Sequence, residues 1–282
     1  MKSVLLVGAN SFIGRSFKRW IGDNSVPDIK LESLSLRDNS WKSLDLSKYD
    51  SVIHLAAIVH SPKAEPSLYY EVNRDLTTAF ATKAKQDGVK HFIFVSTLSV
   101  YGNRNSDVIN KKTVPKPNNH YGISKLEAEN NILKLQDENF IVSIIRPPLV
   151  YGPHSPGNFS KIMEISRFSF IVPFVSNKRS MIFIDNLSNF LFILLKNKSR
   201  GIFIPQNSEY VCTSEILLNS RKIAGKKTII LPIVLPRKVK KRINIIDKIF
   251  GDLLVDQQMS SVNENYNKVT FKESIKLSIT QK

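Results

Sequence analysis

A chain of 282 residues, 42% of them hydrophobic, is long enough to bury a large core and too apolar to stay disordered. Its single cysteine, Cys212, excludes an internal disulfide and argues against a thiolate metal centre, so no metal site is expected. A formal charge of +17 favours anionic partners, whether nucleic acid, lipid headgroups or diphosphate-bearing metabolites, without choosing among them.

Met1-Lys2-Ser3 leads straight into an apolar run ending at Gly8, shorter than the hydrophobic region of a signal peptide, so a cytoplasmic protein is expected. Residues 3–7 suit a strand, and Phe12-Ile13-Gly14 opens an amphipathic helix. A strand, turn and helix in that order gather backbone N–H groups and a positive helix end where a pyrophosphate could bind. A second strand is expected at 30–36, ending at Arg37, and a third at 52–57, Val52-Ile53-His54-Leu55-Ala56-Ala57. His54 reads as a packed histidine rather than a catalyst. Helical spacing over 69–87 contains Asn73 and precedes a strand at 91–96. Strands that alternate with helices in this way imply an α/β fold with a parallel, helix-covered sheet.

The last of these strands ends in Ser96-Thr97, and a hydroxyl at the carboxyl edge of a parallel sheet faces the crevice where ligands bind. Thr97 could there hydrogen-bond a substrate oxygen. Tyr121 and Lys125 lie four apart at the start of a helix-compatible run and so share a face. A phenol with a pKa of about 10 works near neutrality only beside a positive charge, which Lys125 would supply. Apolar runs at 189–195 and 228–235 fall far short of the roughly 18 residues that span a bilayer. The basic run Pro236-Arg237-Lys238-Val239-Lys240-Lys241-Arg242 reads as a solvated face, with weak peripheral membrane contact as the lesser alternative. Nothing resembles a recognition helix or an RNA-binding motif, so nucleic acid is not expected as a partner.

Several stretches, taken in order and spacing, carry a resemblance: Gly8-Ala9-Asn10-Ser11-Phe12-Ile13-Gly14, with Ser11 in place of a central glycine; Ser96-Thr97 followed by Val100-Tyr101-Gly102; Tyr121 to Lys125; Arg146-Pro147-Pro148-Leu149-Val150-Tyr151-Gly152-Pro153; Gly157-Asn158-Phe159; and Arg179 to Leu187. Together they resemble an extended short-chain dehydrogenase/reductase of the nucleotide-sugar epimerase/dehydratase family. The resemblance covers the chain to about Gln206. It implies a Rossmann-type doubly wound parallel sheet with a smaller C-terminal substrate-binding domain. Residues 1–152 would form the NAD(P)-binding domain, with return elements near 181–205 that include 181–184, and 153–282 mainly the substrate-binding domain. Residues 269–274 resemble the family's terminal strand-to-helix step.

The resemblance also implies roles. Gly8, Asn10, Ser11, Phe12, Ile13 and Gly14 would bind the cofactor pyrophosphate, Asp45 and Leu46 its adenine, and Leu55, Ala56, Ala57, Asn73 and Pro148 would line the rest of its path. Arg37 would take a 2′-phosphate, which favours NADP(H) over NAD(H). Thr97, Tyr121 and Lys125 would be catalytic, the last two also touching the nicotinamide ribose. Thr97, Ser99, Asn158 and Arg179 would hold a UDP-sugar. The expected reaction is reduction of the C4 ketone of a UDP-4-keto-6-deoxy-N-acetylhexosamine, as in the capsule and O-antigen reductases that make UDP-N-acetylfucosamine or UDP-N-acetylquinovosamine. Leu149 replaces the asparagine that many 4-epimerases carry, but a UDP-hexose or UDP-N-acetylhexosamine 4-epimerase remains the alternative. A 4,6-dehydratase is disfavoured because Leu98-Ser99, not an acid pair, follows Thr97. A non-catalytic dinucleotide sensor or scaffold is the rival from another class. A homodimer through a four-helix contact that includes the Lys125 helix is expected.

Overall fold

A computed structural model describes residues 1–26, 28–59, 65–102, 108–232 and 250–280, and the basic run at 236–242 lies outside them. In the amino-terminal half the inner strands are buried on both faces, the pattern of a sheet covered on both sides by helices, while the edge strand at 29–34 carries Lys30 and Glu32. β1 (Lys2–Val7), β2 (Ile29–Leu34), β3 (Ser51–His54), β4 (His91–Val95), β5 (Ile141–Ile145) and β9 (Gly201–Phe203) form one sheet in the order β2-β1-β3-β4-β5-β9, and every pairing is parallel. Chain order reverses between β1 and β3. In a doubly wound sheet that reversal opens a ligand crevice beyond the strands' carboxyl ends. This is the α/β, Rossmann-type arrangement expected from the sequence.

Two strands end earlier than their apolar pattern suggests. β2 stops at Leu34, whose carbonyl accepts the Gly8 N–H at 3.4 Å, and Leu36 then turns inward and is buried. Arg37 therefore stands in an exposed loop three residues past the strand. β3 stops at His54: the Leu55 N–H still donates to Val7 O at 2.8 Å, and the chain then passes Leu55-Ala56 against the Gly8 turn. The expected helix at 69–87 has three parts: α2 (Pro66–Tyr69), a π-helical stretch (Tyr70–Leu76) and α3 (Thr77–Gln86). The wider π turn carries Asn73 inward, where it is fully buried.

The chain divides into two compact units, Met1–Asn103, Thr113–Pro147 and Ser188–Pro205 in the first, Arg104–Lys112, Pro148–Leu187 and Gln206–Lys282 in the second. Besides the large sheet, the first unit contains α1 (Phe12–Asp23) and α4 (His120–Lys134). The second unit is built on β6 (Leu149–Tyr151), α5 (Asn158–Phe168), β7 (Ile171–Phe174), β8 (Met181–Phe183), α7 (Thr213–Ile223), β10 (Ile229–Pro232) and α8 (Phe271–Thr280). Met181–Phe183 does not return to the large sheet but pairs in parallel with β6. It is α6 (Ile184–Asn197), from Ser188 on, and β9 that belong to the first unit.

Within the second unit the buried Tyr151 hydroxyl sits between Ser274 Oγ (2.7 Å) and Asn207 Nδ2 (2.9 Å), joining β6 to α8. Only the helical half of the expected terminal step forms. Both backbone groups of Val269 are bonded to the Asn186 side chain, which removes them from any strand ladder, and Thr270 with Glu273 makes a reciprocal cap on α8. No helix among the described residues is long and apolar enough to cross a membrane.

Candidate active site

The turn after β1 is closed tightly enough to need its glycines. Gly8 has φ +84°, and a Cβ there would lie 2.7 Å from Ala56 N and 2.9 Å from the Leu55 carbonyl carbon. A Cβ on Gly14 would lie 2.7 Å from Gly8 O, so α1 also starts in contact with the turn. Ser11, in the place of a glycine, caps α1 by accepting from Gly14 N at 3.1 Å. The backbone carbonyl of the exposed Asn10 accepts from Arg15, and Phe12 and Ile13, half-buried, begin the helix. The first turn of α1 carries no acidic residue, leaving its positive end suited to an anion. A backbone cradle that a Cβ would fill, at the end of β1 and against Leu55-Ala56, fits a dinucleotide pyrophosphate.

Around that cradle the expected contacts differ in what is left to bind a ligand. Asp45 is exposed, and the Ser47 backbone N–H, 2.8 Å from its carboxylate, holds its pKa below the usual range. Leu46 is wholly buried in the core, and its N–H donates to Asp87 at 3.0 Å. The Asn73 amide accepts from Ile58 N at 2.8 Å and donates to Ile58 O at 3.0 Å and Ser124 Oγ at 3.3 Å. It thus braces the segment that carries Leu55, Ala56 and Ala57.

Thr97 caps a 3-10 turn (Leu98–Tyr101) at the carboxyl end of β4, accepting from Ser99 N at 3.1 Å, with Ser99 Oγ 3.2 Å from its hydroxyl. Helix α4 is brought against this turn by Gly122, where a Cβ would lie 2.7 Å from Ser99 O, and is capped by Asn119, which accepts from Gly122 N at 2.8 Å. The approach brings the Tyr121 phenol beside Thr97, and the edge of Tyr69 stands against its ring at 6.4 Å. Lys125 follows one turn along α4. Its ammonium is buried, donates to Val95 O at 2.7 Å and lies 3.9 Å above the Phe94 ring.

Burial dominates the titration of both groups. It raises Tyr121 above its ordinary 10, with the neighbouring Thr97 hydroxyl acting the other way. It lowers Lys125 to about 7, with the Glu129 charge opposing the shift. The phenol of the ligand-free protein is therefore protonated at neutral pH. Lys125 is poised between charged and neutral.

The sequence reading did not single out what lies beneath this pair. Glu129 is fully buried, its carboxylate gripped by Arg146 through Nε (3.1 and 3.0 Å) and Nη2 (2.5 Å), and it also accepts from Ser96 Oγ. Arg146 Nη1 donates to Tyr101 Oη at 2.7 Å. The available signal was spacing: Tyr121, Lys125 and Glu129 repeat every four residues on one helix face. His54 proves to be a core residue, set among Phe80, Phe92 and Phe94, its pKa lowered to about 3 by burial and then by Lys125.

Three of the expected ligand residues belong to the second unit. Pro148 is buried just ahead of β6. Asn158 is the first residue of α5, after Gly157 at φ +81°. Arg179 bridges Val211 and Leu253 through its backbone, and its Nη1 donates to Gly251 O at 2.7 Å.

Comparison with known proteins identifies a family and a fold. The profile of the NAD dependent epimerase/dehydratase family matches residues 4–202. A UDP-glucose 4-epimerase of Vibrio cholerae is 30% identical over 286 residues, covering 90% of this chain and 87% of that one. An N-acetyl-alpha-D-glucosaminyl-diphospho-ditrans,octacis-undecaprenol 4-epimerase of Escherichia coli O157:H7 is 29% identical over 215 residues, 71% of this chain and 65% of that one. Among solved structures, a UDP-glucuronic acid 4-epimerase of Bacillus cereus in complex with NAD superposes with a TM-score of 0.76 at 20% identity, over 98% of this chain and 97% of that one.

Proposed function

The chain belongs to the NAD dependent epimerase/dehydratase family, and on that premise we propose that it is a nucleotide-sugar 4-epimerase, inverting C4 of a UDP-hexose or UDP-N-acetylhexosamine. The observation that carries the reading is the buried Tyr121 phenol beside Thr97 at the carboxyl end of β4, with Lys125 one turn further along α4. Two curated relatives whose names specify 4-epimerases support it over the reductase expected from sequence motifs alone.

A nicotinamide dinucleotide, which Gly8, Asn10, Ser11, Phe12, Ile13 and Gly14 would hold, would supply the hydride acceptor and donor. Leu55, Ala56, Ala57 and Pro148 would line its path and Asp45 would flank the adenine, with Leu46 packed in the core behind it, and Asn73 fixes the segment after β3. Tyr121 takes the proton from the C4 hydroxyl as the C4 hydrogen leaves as hydride, and returns that proton when hydride comes back to the opposite face of the carbonyl. Thr97 and Ser99 hold the reacting oxygen. Lys125, in its charged form, stabilises the phenolate. Asn158 and Arg179 take the substrate diphosphate, where a guanidinium fork suits phosphate oxygens. This reading takes NAD(H), and Arg37 is the residue that would receive a 2′-phosphate if NADP(H) is used. It includes a homodimer through a four-helix contact containing α4.

Leu149, standing where many 4-epimerases have asparagine, favours a second reading: reduction of a UDP-4-keto-6-deoxy-N-acetylhexosamine with the same residues. The two separate in one assay. An epimerase interconverts UDP-glucose with UDP-galactose, or their N-acetyl counterparts, without added cofactor. A reductase leaves those sugars untouched and consumes reduced cofactor stoichiometrically with the 4-keto sugar. Bound cofactor with no turnover of either class would favour a sensor or scaffold.

A further inference from the structure

The second unit presents an apolar surface that the proposed chemistry does not use. β7 and β10 pair in parallel with Ile171 opposite Ile229 and Pro173 opposite Leu231, so these four side chains share one face of the two-stranded sheet. On the other face Val172 is fully buried, while Ile230 beside it is 52% and Phe174 37% exposed, so among the described residues the apolar surface wraps the free edge of β10. On the open face Ile171 is 40%, Ile229 58% and Leu231 51% exposed, and Phe168 and Phe170, on the segment leading into β7, are 80% and 60% exposed. The Ile229 N–H donates to Phe170 O at 2.9 Å, fixing the two segments side by side. Single exposed hydrophobes need no explanation, but a contiguous set of this kind marks an interaction surface.

The charge around it is mainly basic, with Glu164 one turn ahead of Phe168 and Asp252, which accepts from Lys178 N at 2.8 Å, as the flanking acids. Residues 165–184 and 216–232 contain no aspartate or glutamate. Arg167, Lys178, Lys222, Lys226 and Lys227 in those stretches are exposed, and Lys226 Nζ donates to Arg167 O at 2.6 Å, which sets the basic turn after α7 beside the end of α5. A second copy of this chain would meet this face with the same cationic rim and be repelled. An anionic lipid leaflet is complementary to both features: apolar side chains enter the boundary between headgroups and acyl chains while lysines and arginines stay at the phosphates. We propose that the β7–β10 face of the second unit, with Phe168 and Phe170, docks this protein on the surface of an anionic phospholipid bilayer. Because no described helix can span a membrane, the contact is peripheral. The proposal is independent of whether the enzyme epimerises or reduces.

The test uses the full chain with vesicles of phosphatidylcholine, alone or with about a third phosphatidylglycerol. The protein is expected to co-sediment with the anionic vesicles and not with the neutral ones. Both Phe168→Ser/Phe170→Ser and Lys226→Glu/Lys227→Glu should lower the bound fraction by about tenfold or more, with sugar turnover and melting temperature unchanged. Failure to bind anionic vesicles would overturn the proposal. So would binding retained by both double variants, which would put the contact elsewhere, or loss in these variants of a dimer rather than of vesicle binding.

Discussion

Lys125 and Glu129 lie one turn apart on the buried face of α4, yet they do not form a salt bridge with each other. The Lys125 ammonium donates to Val95 O, while the Glu129 carboxylate is held by Arg146 from β5's carboxyl end. Glu129 therefore acts on Lys125 at a distance, keeping its pKa from falling further than about 7. The cation beside the phenol is sustained by a second, satisfied ion pair beneath it.

Removing one member of that pair should be costly. Glu129→Gln leaves the Arg146 guanidinium buried without an anion, for which about 3–5 kcal/mol of stability is the expected loss. Glu129→Gln/Arg146→Met should recover much of it. Urea unfolding of the two variants and the native protein measures both.

Lys125 gives a pH dependence of defined sign. Its folded pKa, about 7, lies below the ordinary 10.5, so between those values the unfolded chain holds the extra proton and stability rises with pH. Below about pH 7 the full cost of the buried cation is present. Cofactor-free Lys125→Met should accordingly gain most in melting temperature over the native protein below pH 7, and the gain should shrink as pH is raised toward 9. A gain that grows with pH would contradict the burial account.

Much of this was legible in the sequence because the chemistry needs local patterns. The Gly8 turn needs glycine at two close approaches, and Tyr121 with Lys125 needs only helical spacing. The strand ends were harder, since Leu36 and Ala56 are apolar for packing reasons unrelated to the ladder, and Arg37 consequently stands further from β2 than its position suggested. The π turn at Asn73 is set by bonds to Ile58, 15 residues earlier. The Glu129–Arg146 pair joins α4 to the end of β5, and no local pattern announces a partner across that separation. Met181–Phe183 has the composition of a core strand, and composition does not say which sheet it joins.

Tyr121→Phe should keep the fold, since the substitution leaves the buried ring and its edge contact with Tyr69 in place. Turnover should fall by about 10²–10⁴, the usual contribution of a positioned proton donor. Steady-state kinetics alongside a melting curve separates the lost proton transfer from any loss of structure.

Gly8→Ala tests the cradle. At φ +84°, with Ala56 N 2.7 Å from the new methyl, the turn must shift away from the chain leaving β3. Affinity for NAD(H) and NADP(H) should drop by about tenfold or more by calorimetric titration. The same titration of the native protein identifies the preferred cofactor.

The most direct measurement follows the hydrogen at C4. A UDP-hexose or UDP-N-acetylhexosamine labelled with deuterium at C4 is incubated with the purified enzyme, and the product is read by NMR. Hydride removal and return at one carbon predicts an inverted C4 that still carries its deuterium, with none formed by Tyr121→Phe at the native rate. Inversion with loss of the label to solvent, or no inversion of either sugar class, would contradict the account.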